Sequence, residues 1–151
     1  MQLASFVNPD LVICKLPASS KKKLFETVAE LISGQCSKLS ANEIFDGLFA
    51  RERLGSTSLG NGVAVPHCRI ENPDTDCCAV VTLENPIGFD APDNQPVDIL
   101  IFLVVSGEAC QDHLDRLAVI AKSFSDSDYK EKIQGAKTQE NLKNLIFNNN
   151  E

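Results

Sequence analysis

Two histidines stand in this 151-residue chain, and each sits where an imidazole can meet an anion. His67 follows Pro66 directly, at the end of the short apolar run Val63-Ala64-Val65. Gly55, Gly60 and Gly62 come just before that run. An unperturbed imidazole titrates near pH 6.5, so at neutral pH much of it is an uncharged nucleophile. Glycines beside it let backbone N–H groups approach an anion without side-chain obstruction. The competing reading is a structural histidine that satisfies backbone groups at a strand end. His113 falls at the start of a helix that follows the most apolar strand, an end of the sheet where ligands tend to bind. A helix N-terminus attracts phosphate through its free N–H groups and its dipole, although spacing equally lets His113 pack with Leu117 and Ile120. Arg51 ends a helix, where a cation complements the dipole, and a guanidinium there can also clasp a phosphoryl group. Arg53 and Arg69 compete with it, and spacing does not choose among the three.

Other chemistries are less well provided for. Cys68 beside His67, and Cys110 three residues before His113, offer four nitrogen or sulfur ligands. Adjacent ligands rarely point at one ion, and the carboxylate–histidine pattern of a catalytic zinc enzyme is missing. A Cys68 nucleophile with His113 as base is set aside on similar grounds. The chain has no P-loop, dinucleotide fingerprint or serine elbow. No metal and no cofactor is therefore expected.

The elements that position these residues alternate between the two periodicities. Leu11–Leu16 reads as a strand stopped by Pro17. Ser19 or Ser20 caps a helix to about Ser33, with Leu24, Val28, Leu31 and Ile32 on its inner face and Gly34 ending it. Ser40 and Glu43 form a capping-box pattern for a second helix, with Ile44, Phe45, Leu48 and Phe49 apolar. Strands are expected over Val63–Val65, where Pro66 ends the ladder, over Cys78–Leu83, and over Val97–Val105, which is apolar enough to be buried on both faces. Glu84–Pro96 reads as a turn-rich segment. Helices follow over about Gln111–Phe124, with Leu114, Leu117 and Ile120 apolar, then from an Asp126 or Ser125 cap to about Gln134, then from a Thr138 cap with Leu142, Leu145 and Ile146 inward. The tail from Asn148 is expected to fray. This order implies an α/β sandwich with a mixed sheet, residues 1–151 forming one domain.

Bulk properties narrow the partners. A net charge of −7 disfavours nonspecific binding to nucleic acid, so any anion must be met by local groups. The basic run Lys21–Lys23 reads as a solvated first helical turn. No apolar run is long enough to cross a bilayer and no export signal opens the chain, so a cytoplasmic protein without membrane insertion is expected. The six cysteines are then expected as reduced thiols, Cys14 and Cys36 as small core residues. Cys77 and Cys78 should point to opposite faces of a strand.

The stretch Leu59-Gly-Asn-Gly-Val-Ala-Val-Pro-His67-Cys68 resembles the active-site signature of the IIA components of the bacterial sugar phosphotransferase system, mannitol/fructose class. Phe89-Asp-Ala-Pro-Asp-Asn-Gln-Pro-Val-Asp-Ile-Leu100 resembles a second characteristic segment, and His113-Leu114 matches the place of the family's second active-site histidine. The wording Gly55-Ser-Thr-Ser-Leu-Gly-Asn-Gly62 looks most like the nitrogen-regulatory IIA branch (IIA-Ntr). The resemblance implies a sheet flanked by helices on both faces. It implies that His67 is phosphorylated on Nε2 by a phosphohistidine carrier of the HPr or NPr kind, and that Arg51 and His113 flank the phosphoryl group. It further implies that phosphorylation state regulates partner proteins, a potassium transporter or a sensor kinase among the possibilities. The alternatives are a fructose or mannitol IIA component that feeds a IIB unit, and a binding module that is never phosphorylated. Cys68 stands where glycine is usual in the family, which places a thiol beside the acceptor with a possible redox role.

Overall fold

The computed structural model describes residues 2–36, 38–71, 76–107 and 110–148. After short 3-10 turns at Leu3–Ser5 and Pro9–Leu11 come β1 (Val12–Leu16), α1 (Lys21–Gln35) and α2 (Ala41–Arg53). The strands β2 (Ser58–Gly60), β3 (Val63–Ala64), β4 (His67–Ile70), β5 (Cys77–Ile87) and β6 (Val97–Ser106) follow. The chain then runs through α3 (Cys110–Ser125), α4 (Ser127–Gly135) and α5 (Gln139–Phe147). Residues 149–151, where the tail was expected to fray, lie outside the described residues.

Among the described residues the six strands form one mixed sheet in the order β1-β5-β6-β3-β2, with β4 also paired to β6. β5 and β6 run antiparallel, whereas β3 and β4 lie end to end along the other edge of β6, both parallel to it. Successive residues of β6 therefore serve opposite faces. Leu100, Phe102 and Val104 pack with Leu24, Phe25, Val28, Ile32, Ile44 and Leu48 of α1 and α2. Ile99, Ile101, Leu103 and Val105 pack with Ile120, Phe124, Ile133, Leu142 and Ile146 of α3, α4 and α5. The sheet is thus flanked by helices on both faces, as expected.

The caps read from sequence are in place: Ser20 accepts from the Lys23 N–H, Ser40 and Glu43 form the reciprocal box, and Asp126 and Thr138 cap α4 and α5. Several boundaries differ. Gly34 and Gly135 fall inside their helices rather than beyond them, and each helix is closed one or two residues later by a backbone bond back to Ile32 or Ile133. Leu31 is exposed at the rim while Phe25 takes the deep position in α1. Leu114 is exposed as well, so the apolar contacts of α3 with the core start at Leu117. β5 runs on through Pro86 to Ile87, its pairing with β6 interrupted between Thr82 and Ile87 so that the missing proline N–H costs no ladder bond. Most importantly, the chain does not leave the sheet at Pro66. The Pro66 carbonyl still accepts from Leu103 N–H at 2.9 Å, and β4 begins at the next residue.

Candidate active site

Register decides where His67 points. Its partner on β6 is Leu103, and the next pair is Cys68 with Val104. In a parallel ladder partners share a face, so the imidazole turns toward α3 and the thiol toward α2. The half-buried ring of His67 lies 2.7 Å through Nδ1 from the Val65 carbonyl oxygen. A carbonyl only accepts, so Nδ1 carries the hydrogen and Nε2 keeps its lone pair. Opposite it, His113 sits in the first turn of α3, its ring centroid 5.4 Å from that of His67 at 46°. His113 is only 5% exposed, and its Nδ1 has no hydrogen-bond partner among the described residues. His113 belongs to the first turn of α3, whose N–H groups have no intrahelical acceptor.

Both imidazoles are held below their ordinary pKa of 6.5. For His67 the main cause is burial; the Val65 bond opposes it, the Arg51 charge adds to it, and Glu52 opposes it weakly. For His113 burial again leads, followed by His67, Arg69 and Arg116, with Asp76 opposing. Two neutral rings therefore face each other at pH 7.

The arginines left open by spacing now separate. Arg51, in the last turn of α2, donates from Nη1 to the Gly55 carbonyl at 2.9 Å and bears electrostatically on His67. Arg53 lies over the Phe49 ring at 5.2 Å. Arg69 bears on His113 instead. α2 comes close to β4 because residue 47 is glycine: a Cβ there would stand 3.0 Å from the Cys68 sulfur. One turn on from Gly47 is Arg51, so this contact sets the arginine beside the site.

The glycine-bearing loop does something other than expected. The N–H groups of Gly55, Thr57, Ser58, Gly60 and Asn61 donate to Glu52 O, Glu52 Oε2, Ser56 Oγ, Ser58 Oγ and Asp93 Oδ2 respectively. They are consumed in shaping the turn and are not offered to an anion. Positive φ at Gly60, Asn61 and Gly62 (90°, 56° and 84°) is what the turn requires of its glycines. Sequence reasoning also missed Glu52, which is 6% exposed and bonded to Lys21 and Thr57. Its partners lie 31 and 5 residues away, and no local pattern marks such a pair.

Cys68 is buried against α2, and that burial pushes its thiol up to about 12, which leaves little of the reactive thiolate. The redox role that the sequence leaves open for this thiol is disfavoured on that ground. His67 and Cys68 face opposite ways and cannot hold one ion; the Cys110 side chain lies outside the described residues. On the elements that carry Arg51, the glycine loop and His113, Leu54, Leu59 and Leu114 are 84%, 48% and 58% exposed, whereas Val63 is core.

Comparison with known proteins gives the chain its family and fold relatives. Residues 5–149 match the family described as phosphoenolpyruvate-dependent sugar phosphotransferase system, EIIA 2. The nitrogen regulatory protein of Pseudomonas aeruginosa is 36% identical over 146 residues, covering 97% of this chain and 95% of that one. The nitrogen regulatory protein of Escherichia coli K12 is 37% identical over 147 residues, covering 97% and 90%. The crystal structure of nitrogen regulatory protein IIA-Ntr from Neisseria meningitidis superposes with a TM-score of 0.88 at 34% identity, covering 95% of this chain and 98% of that one. IIA mannitol from Escherichia coli shares the fold, with a TM-score of 0.74 at 15% identity over 93% of this chain and 98% of its own. With the sheet, the facing histidines and these relatives taken together, the chain belongs to the EIIA 2 family of the phosphotransferase system and is a IIA-type phosphocarrier akin to the nitrogen-regulatory IIA proteins.

Proposed function

We propose that His67 is the phosphoryl acceptor, and that it takes the group on Nε2 from a phosphohistidine carrier of the HPr or NPr kind. The observation that carries this reading is the bond from Nδ1–H to the Val65 carbonyl, which leaves the Nε2 lone pair free in a ring held neutral at pH 7. Nε2 attacks phosphorus as the donor's P–N bond breaks, and the new P–N bond forms in line. Positive charge that develops on the ring is met at Nδ1–H by the Val65 carbonyl. Such a transfer needs positioning and charge stabilisation more than covalent assistance. Arg51 supplies a forked cation to the equatorial oxygens, and neutral His113 supplies a ring N–H. The first-turn N–H groups of α3 add the positive end of its dipole. The scheme uses no metal or cofactor.

The exposed Leu54, Leu59 and Leu114 lie on the elements that carry Arg51, the glycine loop and His113, and they form the rim on which a carrier docks. Phosphorylation puts a multiply charged group in the midst of these leucines, so the two forms of the protein suit different partners. The regulatory role follows from that difference, with a potassium transporter or a sensor kinase as candidate readers. No helix among the described residues is long and apolar enough to cross a membrane, and we place the protein in the cytoplasm, residues 1–151 acting as one EIIA type-2 domain.

The test is intact-mass measurement at alkaline pH, where phosphohistidine survives, after mixing with a phosphorylated HPr-type carrier. Wild type should gain one phosphoryl group and His67→Ala none, with unchanged circular dichroism. A label retained in His67→Ala would move the acceptor to His113 and overturn the assignment. Onward transfer to a purified fructose or mannitol IIB domain would favour the sugar-transport role over regulation.

A further inference from the structure

Glu52 is a carboxylate buried at the end of α2, and it does not touch the ring of His67. Burying such a charge is costly unless donors surround it, and here three do. Lys21 Nζ donates to Oε2 at 2.9 Å, Thr57 N–H to Oε2 at 3.2 Å, and the Thr57 hydroxyl to Oε1 at 2.6 Å. Thr57 is therefore gripped through both its backbone and its side chain. Its own carbonyl accepts from Val65 N–H at 3.0 Å, and the Val65 carbonyl accepts from His67 Nδ1–H at 2.7 Å. An unbroken line of bonds runs from α1 through α2 and the glycine loop to the imidazole. Lys21 also donates to the Phe89 carbonyl at 3.2 Å, which Ser56 Oγ bonds at 3.0 Å, so the loop is held from a second side.

We propose that Glu52 is a positioning residue of the acceptor site: by clamping Thr57 it fixes the Val65 carbonyl, and the carbonyl selects the Nδ1–H tautomer of His67. The inference rests on the reading of His67 as acceptor. Tautomer choice matters because a free histidine side chain prefers its hydrogen on Nε2. That hydrogen would occupy the lone pair that must attack phosphorus. Arg51, the neighbouring residue, cannot take over this clamp, because consecutive helical residues diverge by about 100° and its guanidinium is turned to the Gly55 carbonyl.

The experiment compares Glu52→Gln, Thr57→Val and Thr57→Ser with wild type in two measurements. The first is 15N NMR of the imidazole nitrogens in the unphosphorylated protein, which reads the tautomer directly. The second is the rate of phosphorylation by an HPr-type carrier, separated into kcat and KM. Glu52→Gln and Thr57→Val should shift His67 toward the Nε2–H form and lower kcat by roughly tenfold or more at unchanged KM, in line with the loss of other outer-shell partners. Thr57→Ser, which keeps the hydroxyl, should restore both. An unchanged Nδ1–H tautomer in Glu52→Gln or Thr57→Val would overturn the proposal whatever the rates do. If Glu52→Gln fails to fold, the Thr57 pair decides alone. If wild type accepts no phosphoryl group, the acceptor reading falls, and the NMR comparison still passes or fails the positioning role independently.

Discussion

At the scale of the residue, His67 is presented by its own backbone: a carbonyl two positions back fixes one nitrogen and frees the other. Its neutrality and that of His113 have a measurable consequence for stability. Both folded-state pKa values lie below the 6.5 of the unfolded chain, so the unfolded state binds more protons as pH falls. The stability they contribute is complete above about pH 6.5 and is lost as the pH drops through the folded values. Urea midpoints should therefore decline as the pH drops from 6.5 toward 5, and the double variant His67→Gln/His113→Gln should flatten that decline. A wild-type midpoint that holds steady or rises on acidification would contradict the burial of these rings. Cys68, one residue away, illustrates how sharply the setting changes along a strand: its thiol faces the other core and is pushed up to about 12.

At the scale of the element, close packing of α2 on β4 brings Arg51 to the site, and Gly47 permits it. Gly47→Val should force the helix away from the Cys68 sulfur and cost about 1–3 kcal/mol, read by urea denaturation. The companion change Cys68→Gly should recover part of that loss, since neighbours in contact are not additive. Equal losses with and without Cys68→Gly would mean that the contact does not set the helix position. Much at this scale was legible in the sequence, because caps and period are local: the Ser40–Glu43 box and the run Val97–Val105 each declare themselves within a few residues. β4 was not legible. Pro66 lacks an N–H, which suggests a strand end, but its carbonyl remains a good acceptor and Leu103 uses it. The Glu52 clamp was hidden for a similar reason: an acidic residue in a last helical turn looks solvated until Lys21 and Thr57 are known to close on it. His67, His113 and Arg51 were singled out by type, place and resemblance; spacing did not separate Arg51 from Arg53 and Arg69, and the fold gives the three different neighbours.

At the scale of the whole molecule, a chain of net charge −7 must meet the proposed phosphoryl group with local cations, and Leu54, Leu59 and Leu114 stand exposed on the elements that carry Arg51, the glycine loop and His113. Leu54→Asp and Leu114→Asp should raise the KM for a phosphorylated carrier about tenfold each, as truncation of interface anchors does, while kcat and the thermal midpoint stay near wild type. An unchanged KM in both would place docking elsewhere on the surface. The pairing of β4 also has a consequence for how the protein comes into being. Among the described residues β4 pairs with β6 alone, and it is parallel to β6 from His67 opposite Leu103 to Ile70 opposite Ser106. A nascent chain emerging from the ribosome has therefore made His67 well before it has made the strand that holds it. Until β6 and the start of α3 have emerged, some seconds later at ordinary rates of synthesis, the imidazole has neither its neighbour strand nor its facing histidine. With His67 as the proposed acceptor, competence for phosphate thus arrives late in translation, and a chain stalled before β6 would lack it.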